Sequence, residues 1–345
     1  MNNVSKFERK SSIELLRIIC MLLIIAHHYA CHGGFDFINT PFSKKLFFVQ
    51  CLYSGGKIGV NIFVLISGYF LCKTRFQWKK LLKLELEVIF YSIIIGGIFH
   101  IFYPEKESLE NLIKEFTPLL SDNYWFYTAY FGMFLISPIL NLLLEKLNKT
   151  MHLHIIISSF ILWSIIPGVP KSNLLWFSIL YFCGSYIRLY SEDLKYQPKT
   201  YLLYGLLLYM AIFIYIYISG KNNYRNNIYK FGNYDNFLIV IISILFFIAF
   251  SKIDIGTNKI INRISSATFG IYLIHDNNLI RPFLWISILK NYSYINSKFI
   301  ILHSLGSILV VFVLCLLIDL LRSCIFEGIK NYCIKPLSLL LHKIN

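Results

Sequence analysis

Fully apolar stretches of about 20 residues recur along the whole chain, and no other feature constrains it as tightly. In lipid every backbone polar group must be satisfied inside its own segment, so such stretches fold as helices. Ten spans can be read, at 13–33, 48–71, 85–103, 124–144, 153–168, 174–190, 200–219, 236–251, 266–288 and 299–322. The expectation is an all-α, polytopic integral membrane protein of about ten transmembrane helices, with residues 1–345 forming a single membrane-embedded domain. Charged residues make up 15% of the chain, against about 25% in an ordinary soluble domain. That excludes a disordered or collagen-like chain and argues against a soluble enzyme. Gly55-Gly56-Lys57 interrupts the second span, so its outer part reads as a bent or re-entrant piece. The fifth closes on Pro167-Gly168-Val169-Pro170 and reads as a short span.

The net charge is +15. In a soluble chain that would suggest a nucleic-acid partner; here it reads as loop lysines obeying the positive-inside rule, and no nucleic acid is expected. With Lys6, Arg9 and Lys10 placed in the cytoplasm, the inner segments collect 20 Lys and Arg and the outer loops 10, while Arg17, Lys57 and Arg281 fall inside spans. The chain is therefore expected to be multi-pass in the cell membrane, with both termini cytoplasmic. The acidic cluster Glu105, Glu107, Glu110, Glu115 and Asp122 and the polar segment Gly220–Asp235 then lie outside. The first span contains Glu14 and Arg17 and lacks a small-x-small cleavage site, so it does not read as a removable signal peptide. None of the eight cysteines forms a C-x-x-C pair, which suggests neither a zinc site nor a disulfide framework. No internal repeat is seen, and no metal is expected.

Chemistry must come from polar groups at membrane depth, where each charge costs at least ~2.5–3.5 kcal/mol on insertion scales. Eleven helical steps separate Arg17 from His28, three turns plus about 20°, so the two share a face and stand about 16 Å apart along the axis. His27 lies about 80° from Arg17. Glu14, one turn below Arg17, can pair with it. One helix face thus carries a cation and a titratable base across half the bilayer; a snorkelling arginine and a structural histidine would look the same. Ser67, Gly68 and Tyr69 end the second span, where small residues also serve close packing. Lys80 and Lys83 share a face just beyond it and suit phosphate groups, anionic lipid or simple topology setting. Trp125 opens the fourth span among tyrosines, as either interfacial anchors or stacking faces for sugars. The ninth holds His275-Asp276-Asn277-Asn278 and then Arg281, with Asp276 able to pair with His275 or Arg281. Asp319 and His303 stand isolated in the last span and read as structural.

Four segments together carry a family likeness: Glu14-Leu-Leu-Arg17 with ten residues to His28, Asn61-Ile-Phe-Val-Leu-Ile-Ser67-Gly68-Tyr69, Tyr124-Trp125-Phe126-Tyr127-Thr128-Ala129-Tyr130 running on to Ser137-Pro138, and Phe269-Gly270-Ile-Tyr272-Leu-Ile-His275-Asp276-Asn277. In this order the chain resembles the acyltransferase family 3 integral membrane proteins, especially bacterial O-acetyltransferases of surface polysaccharides. The resemblance implies acyl-coenzyme A, usually acetyl-coenzyme A, as a cytosolic co-substrate with no permanently bound cofactor. It implies a hydroxyl of an extracytoplasmic or lipid-linked glycan as acceptor. It makes His28 the essential histidine and Arg17 its paired basic residue, with Glu14 beside them. Where the family often has Arg-x-x-Arg, this chain has Lys80 and Lys83, which keep the charge but lose the bidentate fork. The candidates for donor binding are Lys80, Lys83, Ser67 and Tyr69; those for acceptor binding are Trp125, Tyr130, His275 and Asp276.

Acyl transfer to a sugar hydroxyl needs a base, and histidine is poised near neutral pH. His28 suits the role of base or of nucleophile, and the base is preferred. Arg17, Ser67 or Tyr69 would serve the oxyanion. The competing class is a flippase or transporter for a lipid-linked glycan, which would predict paired halves with interrupted helices in corresponding positions.

Overall fold

The computed structural model describes residues 10–106, 108–121, 123–166 and 169–329. Lys6, Arg9, Glu107, Asp122, Pro167, Gly168 and the basic residues beyond 329 lie outside the described residues, so the terminal charges of the topology reading are not placed. Everything described is helix or connection, with no strand among the described residues.

Helices α1 (Ser11–Cys31), α2 (Lys44–Ser54) and α3 (Gly56–Leu71) come first. Gly55 joins α2 to α3 in helical geometry, so the glycine pair marks a joint within one 28-residue apolar unit, Lys44–Leu71. Then follow α4 (Trp78–Phe102), α5 (Leu109–Lys114), α6 (Trp125–Lys146) and α7 (Lys149–Phe160), which ends in a π-helical turn, Ile161–Ile165. Next are α8 (Asn173–Leu189), α9 (Pro198–Lys221) and α10 (Phe237–Lys252), with a 3-10 helix over Arg225–Gly232 in the segment read as a polar loop. The described residues end with α11 (Lys259–Ser266), α12 (Thr268–His275), α13 (Ile280–Pro282), which continues as a π turn over Phe283–Ile288, and α14 (Ile300–Ile329).

Six of these units are long and apolar enough to cross a membrane: α1, α2 with α3, α4, α6, α9 and α14. The remaining spans read from sequence fall on shorter or broken helices. Helix α8 has 17 residues and α10 has 16, and α10 is bent by 44° from the 3-10 helix before it. The stretch 266–288 is not one helix. Its polar run stops α12 at His275, and the Asn277 side chain accepts from the Leu279 backbone N–H (2.9 Å), turning the chain before α13.

Helix α3 is the axis of the bundle, and glycines make it so. A Cβ at Gly68 would stand 2.3 Å from the Tyr181 carbonyl oxygen, and one at Gly184 only 2.2 Å from the Leu65 carbonyl oxygen. Thus α3 and α8 touch backbone to backbone, the close approach that small residues permit where lipid offers no hydrophobic drive between helices. Against α1, a Cβ at Gly59 would lie 2.7 Å from the Cys20 carbonyl oxygen, and one at Gly56 2.3 Å from His27 Cβ. Polar ties add direction. Asn61 accepts from Trp176 Nε1 (3.2 Å) and donates to the Tyr234 carbonyl (2.7 Å). Tyr124 donates to the Leu273 carbonyl (3.0 Å) and accepts from Asn277 Nδ2 (2.8 Å), pinning the start of α6 to the end of α12. Within α6, Pro138 cannot donate to Phe134, and the Ser137 hydroxyl takes that carbonyl instead (2.7 Å).

A candidate acyl-transfer cavity

The four sequence segments converge on one cavity of about 440 Å³. Arg17, His27 and His28 reach its wall from α1, Lys57, Phe63 and Ser67 from α3, Lys80, Lys83 and Glu87 from α4, Trp125 and Tyr130 from α6, and Tyr272 and Asp276 from the α12 segment. Lys80 and Lys83, in the first turns of α4, are exposed at one end. His28 lies about 16 Å along α1 from Arg17. The cavity therefore runs from a basic mouth past Arg17 to a histidine cluster.

The hydrogen bonds fix the tautomer of that cluster. His275 is fully buried, and its Nδ1 lies 2.6 Å from the Ile271 carbonyl oxygen. A carbonyl only accepts, so Nδ1 carries the proton and Nε2 of the neutral ring is a bare lone pair. That Nε2 lies 3.0 Å from His28 Nδ1. His28 Nδ1 must then donate to it, which leaves His28 Nε2 unprotonated: the geometry of a general base. Asp276 Oδ1 stands 3.5 Å from the same Nδ1, placed to offset positive charge once the ring takes up a proton. Arg281 Nε is 2.8 Å from Asp276 Oδ1 and donates to the Asp276 backbone carbonyl (2.9 Å), so its guanidinium lies against the carboxylate that it neutralises. His32, one turn above His28, lies 3.9 Å from Oδ1. Donor atoms of His28, His32 and Asp276 lie within 4.8 Å of one another, close enough for one metal ion. Arg281 already supplies the cation beside that carboxylate, and the hydrogen-bonded pair of rings is suited to handling a proton.

The remaining candidates divide by place. His27 touches the wall but is 4% exposed, packed on Gly56, with Nδ1 2.5 Å from the Tyr53 carbonyl oxygen. Arg17 lies 3.6 Å from Glu14 through its Nε, and Ser265 donates to that carboxylate. Glu14 sits behind the cavity and positions Arg17. Ser67 Oγ is 3.1 Å from the Tyr130 hydroxyl, joining two wall residues. Tyr69 is turned away, its hydroxyl accepting from Arg188 Nη1 (2.9 Å). His275 stands behind His28 rather than in the wall, so its geometry is that of a support for the base. Asp319 is not isolated: it accepts from Tyr91 (2.7 Å) and Arg322 (2.9 Å), and Arg322 also pairs with Glu87 of the cavity wall (2.8 Å). His303 packs on Tyr294 and joins Tyr29 to the Leu289 carbonyl.

Sequence reading passed over Lys57, which counted only as a charge inside a span. Its ammonium lies 4.9 Å from the centre of the Trp125 ring. Both residues also line a second, more polar cavity of about 390 Å³ with Lys171, Asn173, Asn233, Tyr234 and Asp235. Trp125 stacks on Tyr234 at 5.8 Å between ring centres. The signal available was a lysine in an apolar span with no acidic residue within helical reach.

Comparison with known proteins gives two findings. A family model described as an acyltransferase domain matches residues 10–320. The peptidoglycan O-acetyltransferase OatA of Listeria monocytogenes is 26% identical over 218 residues, covering 54% of this chain and 32% of that protein. The chain thus matches about a third of the length of that curated relative. No solved structure matches the chain.

Proposed function

Because the chain belongs to the acyltransferase family 3 of multi-pass membrane proteins, we propose that it is an O-acetyltransferase. It moves an acetyl group from cytosolic acetyl-coenzyme A to a hydroxyl of an extracytoplasmic or lipid-linked cell-surface glycan. The observation that carries this reading is the unprotonated His28 Nε2 at the far end of a cavity whose mouth is basic. Lys80 and Lys83 hold the coenzyme phosphates, and the pantetheine arm follows the cavity past Arg17 to His28. The acceptor hydroxyl reaches His28 from the side of Trp125 and Tyr234. His28 Nε2 takes its proton, and the imidazolium is steadied by His275 behind it and Asp276 beside it. The ten-span reading belongs here too: α7, α8, α10 and the α12–α13 pair make up the count beyond the six longer units, with the start of α1 on the cytoplasmic side.

The test compares His28→Ala with His27→Ala in the host cell, reading acetyl groups on the surface glycan by mass spectrometry. Loss of a general base costs ~10²–10⁴-fold in rate. His28→Ala should erase the acetyl mass increment while full-length protein stays in the membrane, and His27→Ala should keep most of it. Acetylation by a membrane-inserted His28→Ala protein at the wild-type level would refute the assignment. A glycan carrier would show no acetyl increment in either variant or in the wild type.

A further inference from the structure

An oxyanion donor must stand at the depth of the base that it serves. His28 is near the top of α1, and its neighbour His27 packs on Gly56. Lys57 is therefore at the level of His28. Ser67 lies about 15 Å further along α3 at 1.5 Å per residue, and Arg17 about 16 Å down α1. Tyr69 is occupied by Arg188 outside the wall. Arg281, the other cation at this level, is committed to Asp276. Lys57 has no hydrogen bond or ion pair within 4 Å among the described residues; its ammonium lies over the face of Trp125, and the acidic group whose charge reaches it, Asp276, is already paired with Arg281. An ammonium held at membrane depth without a directly paired anion is costly, and such a group is retained where a ligand or reaction supplies the negative charge.

We propose that Lys57 is a catalytic residue, the donor that stabilises the oxyanion of acyl transfer at His28. The proposal rests on the acetyl-transfer reading above. As the acceptor oxygen bonds to the thioester carbonyl carbon, its proton passes to His28 Nε2, and the carbonyl π electrons move onto oxygen. That alkoxide forms against the Lys57 ammonium, which donates a hydrogen bond and keeps its proton throughout. Collapse re-forms the C=O bond and breaks the carbon–sulfur bond. The coenzyme thiolate leaves and recovers the proton from His28, so the products are the acetyl ester and the free thiol. Trp125 holds the ammonium by its ring face before the alkoxide exists, and a cation over an aromatic ring gives up that contact readily to a full negative charge.

The experiment uses full-length protein in detergent with radiolabelled acetyl-coenzyme A alone, water serving as acceptor, and measures release of acetate. Binding is measured in parallel with a non-hydrolysable thioether analogue of acetyl-coenzyme A. Removing one oxyanion donor costs ~10²–10³-fold in kcat. Lys57→Met should show that loss with analogue affinity unchanged, because the contact is made only in the transition state. Lys57→Arg, which keeps the charge, should recover part of the rate, a result that a purely structural lysine would not give. Turnover of Lys57→Met near the wild-type rate overturns the proposal. So does a fall in analogue affinity that accounts for the fall in rate, since Lys57 would then be a ground-state binding cation. The two readings fail separately: equal turnover by wild type and His28→Ala removes the base, whereas wild-type turnover with an unimpaired Lys57→Met removes only the oxyanion donor.

Discussion

At the scale of single residues, the site turns on which ring nitrogen carries a proton. The Ile271 carbonyl decides it for His275, and His275 decides it for His28. On the reading proposed above, His275 is thus a positioning residue. His275→Leu removes the acceptor for His28 Nδ1 and frees the ring to turn; misplacing a reacting group by about 1 Å can cost ~10²-fold. His275→Gln retains a side-chain oxygen that can accept from His28 Nδ1. The expected order of acetyl release is wild type, then Gln, then Leu, with full-length protein at equal levels in all three. A Leu variant as active as the Gln variant would show that the hydrogen bond has no part in the reaction. The Arg17–His28 alignment was legible from helical period alone, since both residues sit on one helix. The His28–His275 contact was not, because it joins positions 247 residues apart. Sequence motif placed His275 in the right region and gave no means of telling the wall from the layer behind it. Asp319 illustrates the same limit: its partners Tyr91 and Arg322 are read only when α4 and α14 are brought side by side.

At the scale of elements, the contact of α3 with α8 shows how glycine replaces hydrophobic drive. Gly184→Ala should push a methyl group against the Leu65 carbonyl, a backbone atom that cannot rotate aside. Overpacking of this kind costs typically ~1–3 kcal/mol. Gly97→Ala in α4 meets no atom within 4 Å, and should be neutral or stabilising, since Ala is favoured over Gly in helices by ~1 kcal/mol. Thermal unfolding in detergent should fall for the first and hold or rise for the second. If both shift alike, the close approach of α3 and α8 is not what sets stability. Helix existence was well marked in the sequence because apolar length is a strong local signal. Helix continuity was less so. The break after His275 was foreshadowed by its polar run, yet the same run read equally well as a patch inside a longer span.

At the scale of the whole molecule, the topology reading makes a direct prediction. Tyr224, between α9 and the 3-10 helix, is 66% exposed, and Tyr196, between α8 and α9, is 63% exposed. With the eight native cysteines replaced, a membrane-impermeant thiol reagent added to intact cells should label Tyr224→Cys and spare Tyr196→Cys. The opposite pattern would turn the basic mouth outward and take the cytosolic donor with it. Similar exposure at the two sites removes accessibility as an explanation for any difference.

The cavity at the basic mouth and the second, polar cavity share two wall residues, Lys57 and Trp125. A catalyst that meets one reactant from each side of a bilayer faces a hazard that soluble enzymes never meet: any continuous wet passage would discharge the ion gradients of its host. Here an indole ring, stacked on Tyr234 and with a positive charge over its face, stands in the wall of both cavities. Positive charge at a constriction repels sodium ions and hydronium alike, as it does in water-selective pores. On the acetyl-transfer reading proposed above, the two side chains placed between the reactants would also insulate the two compartments from each other, whichever way the chain faces.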